Sequence, residues 1–122
     1  MKRLMTKYFS KWAKKQNLPE DELINALLEV EAGQYDAGLG GYLYKKRIRF
    51  KDMGKSGSGR TIICYKQANR AIFIHGFAKN EKSNLTSKEL IAFKELAKVL
   101  MLLSESELES AIINGDFMEV KY

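Results

Sequence analysis

The sequence is poor in the residues that build several kinds of chemistry. It has one cysteine, Cys64, one histidine, His75, one proline, Pro19, and one tryptophan, Trp12, in 122 residues. A single cysteine excludes an internal disulfide and makes a reducing, cytoplasmic setting the default expectation. One histidine and one cysteine leave no set of side chains at metal-ligand spacing, so no metal and no cofactor are expected. The longest apolar cluster, Val99-Leu100-Met101-Leu102-Leu103, is only five residues. Spanning a bilayer takes about 18–20, so no membrane partner is expected. Lys11, Lys14 and Lys15 interrupt any signal-like apolar stretch near the start.

What the chain does have is cations. Lysine and arginine number 21 against 15 acids, a formal net charge of +6. The excess is unevenly placed. Residues 1–17 carry six cations and no acid, and residues 18–41 carry six acids and no base. Residues 42–82 then carry eleven cations against Asp52 and Glu81 alone, and residues 83–122 are acidic again. A concentrated basic block reads as a surface for a polyanion. A helix face made soluble by charge is the commoner reading of the acidic stretch.

Periodicity divides the chain the same way. Residues 1–6 read as a short strand or a frayed start. Phe9, Trp12 and Ala13 fall at helical spacing within Tyr8–Lys15. Pro19 suits the first turn of a second helix, with Glu20, Asp21 and Glu22 at its positive end and Leu23, Ala26, Leu27 and Val30 as its buried stripe. Residues 34–41, with three glycines, read as a loop. Three consecutive antiparallel strands follow, over Tyr42–Phe50, Arg60–Lys66 and Ala71–Ala78, rich in β-branched and aromatic residues. Thr86-x-x-Glu89 and Ser104-x-x-Glu107 are capping boxes opening two further helices, and Phe117–Tyr122 is a candidate last strand. With no repeat and no linker, the expectation is one α+β domain over residues 1–122, with helices before and after a small basic antiparallel sheet.

Several motifs attract attention. Gly54-Lys55-Ser56 lacks the earlier glycine and following helix of a P-loop, so it reads as a hairpin loop, with Lys55 near a phosphate backbone as the functional alternative. Cys64 reads as core. His75 reads as a packed or surface strand residue, with no partners at metal-ligand spacing. Tyr42, Tyr44 and Tyr65 read as sheet packing, or as bases' stacking partners among the cations. Alternation puts Lys45, Arg47 and Arg49 on one strand face with Leu43, while Tyr44, Lys46, Ile48 and Phe50 take the other. Arg60 opens the next strand, and Lys79 follows the third. Cations gathered on one sheet face hold phosphate. Such crowding also lowers the pKa of a lysine within it toward neutrality, and arginine neutralises charge developing on a scissile phosphate. From the residues alone simple nucleic-acid binding ranks first, but such a site can also cut RNA without metal: the 2′-hydroxyl loses its proton, attacks its own phosphate, and the 5′-oxygen leaves.

Leu39-Gly40-Gly41, Lys45-Lys46-Arg47, Gly54-Lys55 through Arg60, and Phe77-Ala78-Lys79-Asn80-Glu81 before a helix at Leu85-Thr86 resemble the RelE/ParE superfamily of toxin–antitoxin toxins, and its HigB-like branch in particular. The resemblance implies a microbial RNase-type α+β fold, with two N-terminal helices packed on a small antiparallel sheet and C-terminal helices. It makes Ser104–Tyr122 a C-terminal extension. It implies a ribosome-dependent endoribonuclease cleaving mRNA, with the ribosome, mRNA and a cognate antitoxin, a helix-turn-helix protein, as partners. Carried over by position, Lys45, Arg47, Arg60 and Lys79 are the catalytic candidates. Lys46, Arg49, Lys55, Tyr44, Asn80 and Lys82 are the RNA-binding candidates. The pattern departs where an arginine is expected at Asn80 and a tyrosine at Thr86. A non-catalytic RNA- or ribosome-binding module and a ParE-like gyrase poison are the alternatives.

Overall fold

The computed structural model describes residues 1–50 and 57–121. The chain runs β1 (Lys2–Thr6), α1 (Lys7–Lys15), α2 (Glu20–Glu31), β2 (Ala37–Gly40), β3 (Leu43–Arg49), β4 (Ser58–Lys66), β5 (Arg70–Ala78), α3 (Ser87–Leu102), α4 (Glu105–Ile113) and β6 (Phe117–Glu119). The strands form one sheet in the order β2-β3-β4-β5-β1-β6. The three basic-block strands are consecutive and antiparallel, as their patterning predicts.

Two features depart from the sequence reading. Residues 34–41, a loop by composition, contain β2, which is half glycine and lacks β-branched residues; its extended form is imposed by pairing with β3. The sheet is also not wholly antiparallel. β1 lies parallel to β5, with Leu4 opposite Ile72, while β6 runs antiparallel along the outer edge of β1. That parallel pair is nonlocal and leaves no local sequence signal.

Local chemistry explains the helix starts. Thr6 caps α1 by accepting the Phe9 N–H at 3.0 Å, and Lys14 and Lys15 lie at its negative end. Pro19 sits one position earlier than predicted, as the N-cap of α2, with three acids in the turn that follows. Both capping boxes form: Thr86 with Glu89, and Ser104 with Glu107.

The sheet separates two cores. On one face, α1 and α2 bury Phe9, Leu23, Leu27 and Val30 against Ile48, Phe50, Ile63 and Phe73. Phe9 stacks on Phe73 with ring centres 4.5 Å apart. On the other face, α3 and α4 bury Ala97, Leu100, Met101 and Leu108 against Leu4, Leu43, Ile62, Cys64 and Ile72. The segment from Ser104, expected as an extension, thus supplies Leu108 and Phe117 to this second core. β5, covered on both faces, is almost continuously buried.

Candidate functional site

Register decides which cations meet. Directly opposite residues in antiparallel strands share a face. Across β3, β4 and β5 the rows read Lys45–Ile62–His75 and Arg47–Arg60–Phe77, and Arg49 lies opposite Ser58. The Lys79 N–H donates to Ser58 O at 3.2 Å, which brings Lys79 beside that last row. Neighbouring strands lie about 4.8 Å apart, and alternate residues advance about 6.8 Å. The grid therefore spans about 10 Å across the strands. It lies on the face that α3 covers. Leu43 is buried at the covered end, Lys45 is half-buried, and Arg47, Arg49 and Lys79 are exposed as the sheet emerges. The sheet brings all four catalytic candidates, and Arg49, to one face.

Among the other described candidates, Lys46 and Tyr44 take the opposite face. Lys46 has the other parity and pairs with Glu29 of α2 at 3.0 Å. Tyr44 packs on that same side, edge-on to Tyr35 and near Tyr65. Asn80 is exposed in the turn after β5. Lys82 pairs with Glu89 in the first turn of α3, and its Nζ lies 6.0 Å from the Phe77 ring centre. The Lys82 ammonium and the Thr86 backbone N–H bring the Glu89 carboxyl down to about 2. Lys55 and the Gly54-Lys55-Ser56 motif lie outside the described residues.

Arg47 and Arg60 are directly opposite, an arrangement that repels unless an anion is supplied. Asp36 supplies one. Its Oδ2 meets Arg60 Nε at 3.0 Å, and its Oδ1 accepts the Arg47 N–H at 3.1 Å. Sequence reasoning assigned Asp36 to a solvated acidic stretch. The available signal was an acid two residues before a glycine-rich turn leading into the most basic strand. Lys45 is held from the other side: its Nζ donates to Asn84 Oδ1 at 3.3 Å, beneath the β5–α3 loop.

His75 also faces α3. It packs on Phe93 at 4.7 Å and lies parallel to Tyr8 at 5.9 Å. Its Nδ1 is buried without a hydrogen-bond partner, and burial lowers its pKa, with Lys82 adding to that and Glu89 opposing it. A cavity of about 410 Å³ lined by Tyr8, Ile74, His75, Phe93 and Leu96 opens there. Cys64 is wholly buried, and burial pushes its thiol up to about 12, the opposite of an activated nucleophile. Among the described residues no three His, Cys, Asp or Glu side chains gather as a metal site. No helix among them is long and apolar enough to cross a membrane.

The fold and this face define a small basic α+β protein whose central meander carries a grid of lysine and arginine. The model of the family described as RelE toxin of the RelE/RelB toxin–antitoxin system matches residues 1–120, and the chain belongs to that family. It is thus a toxin of the toxin–antitoxin class, and the family implies an antitoxin partner. A comparison with curated proteins returned no match.

Proposed function

We propose that this toxin is a metal-independent endoribonuclease of the HigB-like branch, cutting mRNA on the ribosome in the cytoplasm and neutralised by a helix-turn-helix antitoxin. The observation that carries the reading is the placement of Lys45, Arg47, Arg60 and Lys79 on one sheet face by strand register. Two arginines directly opposite one another on adjacent strands supply the forked donors that phosphate oxygens accept. Arg60, held at 3.0 Å by Asp36, stabilises the charge that grows as the 2′-oxygen attacks. Arginine does not give up its proton, so the base role falls to a lysine of the group, Lys45 or Lys79, whose neutral amine takes the 2′-hydroxyl proton and becomes the ammonium. Arg49 at the open end and Asn80 in the turn beyond Lys79 hold the flanking backbone. The departures at Asn80 and Thr86 leave proton delivery to the 5′-oxygen without the family's usual groups.

Expression of the toxin alone, followed by mapping of mRNA 5′ ends, tests this. The expected result is growth arrest with cuts inside translated regions. Arg60→Ala lowers cleavage by about 10²–10³, the loss typical of one transition-state donor, while circular dichroism stays native. Folded protein with intact mRNA overturns the reading. Salt-sensitive RNA binding without cleavage favours a binding module instead, and DNA damage without mRNA cleavage favours gyrase poisoning.

A further inference from the structure

We propose that Asp36 is a positioning residue for this phosphate site: its carboxylate aims the Arg60 guanidinium and, as a fixed negative charge among cations, limits the resting affinity for phosphate. The inference rests on the ribonuclease reading above.

Asp36 immediately precedes β2. Its N–H donates to Lys45 O at 2.9 Å, Oδ1 accepts the Arg47 N–H at 3.1 Å, and Oδ2 meets Arg60 Nε at 3.0 Å. One residue therefore touches three of the four proposed catalytic residues. The first two contacts anchor the carboxylate. Oδ1 stands where the next acceptor of the β2–β3 ladder would stand, so the side chain continues the sheet by one hydrogen bond. With the carboxylate fixed, the third contact sets the direction of Arg60. Arg60 belongs to β4, and its side chain reaches Asp36 at the start of β2, on the far side of β3. A guanidinium offers two hydrogen-bonding edges. Asp36 engages Nε and the Gly59 carbonyl accepts from one terminal nitrogen at 3.3 Å, so a phosphate is met by the remaining terminal N–H groups.

The two roles act on different steps. The negative charge repels a bound phosphate, so its removal tightens binding. The aim matters in the transition state, so its loss slows cleavage. A residue that only supports the fold moves both quantities the same way, or neither.

The test uses purified full-length toxin, Asp36→Asn and Asp36→Glu. Binding is probed with inorganic phosphate by NMR, following the Arg47 amide and the Arg60 Nε–H resonance. Turnover is measured on ribosomes carrying mRNA. Asp36→Asn is expected to bind phosphate about 3–10-fold tighter and to cut about 10–100-fold slower at saturation, the scale of a misplaced reacting group. Its Arg60 Nε–H signal moves toward that of a free arginine. Asp36→Glu keeps the charge, so it keeps the phosphate affinity while losing part of the rate, and it serves if Asp36→Asn does not fold. Turnover within twofold of wild type, or a parallel fall in affinity and rate, overturns the role of Asp36 alone. A wild-type toxin that does not cut overturns the ribonuclease reading, and the catalytic part of this inference with it.

Discussion

His75 shows how one side chain carries a cost that its neighbours do not relieve. Its buried Nδ1 has no partner, and burial favours the neutral ring. Its folded pKa lies below its unfolded value near 6.5, so the unfolded chain binds the proton more readily between the two. The contribution to stability is complete above about 6.5 and is lost as pH falls from there through the lower folded pKa. His75→Leu is therefore expected to reduce the fall in Tm between pH 7.5 and 5.5, read by thermal melts. Glu89 follows its own, lower window: its carboxyl is depressed to about 2, so its share is present above 4.5 and disappears only in stronger acid. Cys64 should resist maleimide in the native protein and react on unfolding. These residue identities were visible in the sequence, but the environments were not. That His75 meets Phe93 and Tyr8 depends on a helix and a strand brought together from distant parts of the chain.

At the level of elements, legibility followed the range of the interaction. The capping boxes at Thr86 and Ser104 are three-residue patterns and form as read. Thr86→Ala is expected to cost about 1 kcal/mol in denaturant unfolding, the usual worth of such a cap. The alternation of Lys45, Arg47 and Arg49 is likewise local, and it placed them together correctly. β2 was illegible because Gly38 and Gly40 have no intrinsic strand preference. Asp36 was missed for the same reason, since its meaning depends on the strand that β2 pairs with. Packing of α1 on β5 adds a constraint at Gly76, where any Cβ would overlap the Trp12 ring. Trp12 is held in turn by Phe9 and Phe50. Gly76→Ala should therefore destabilise the protein by about 1–3 kcal/mol through forced repacking, measurable by urea titration.

For the whole molecule, the sign of charge follows the layers. The acidic α2 neutralises part of the basic strand beneath it through Glu29 and Lys46, and Glu31 pairs with Arg3 of β1. The opposite face keeps its cations at the exposed edge, around Arg47, Arg49 and Lys79. Arg49→Ala and Lys79→Ala are each expected to weaken RNA binding uniformly across sequences. Each should also reduce the slope of log affinity against log salt by about 0.7. Filter binding at several salt concentrations measures both effects.

The position of β5 between β4 and β1 also sets an order in time. β3, β4 and β5 follow one another along the chain, so their hairpins close over short loops and gather the site's cations early. β1 must instead wait for Arg70–Phe73 to be in place, and β6 docks on β1 in turn. Such long-range closures come late in folding. Leu4→Ala, in the wholly buried middle of β1, should then speed unfolding while leaving the folding arm of the chevron nearly unchanged. The same truncation at Ile62 should slow folding itself.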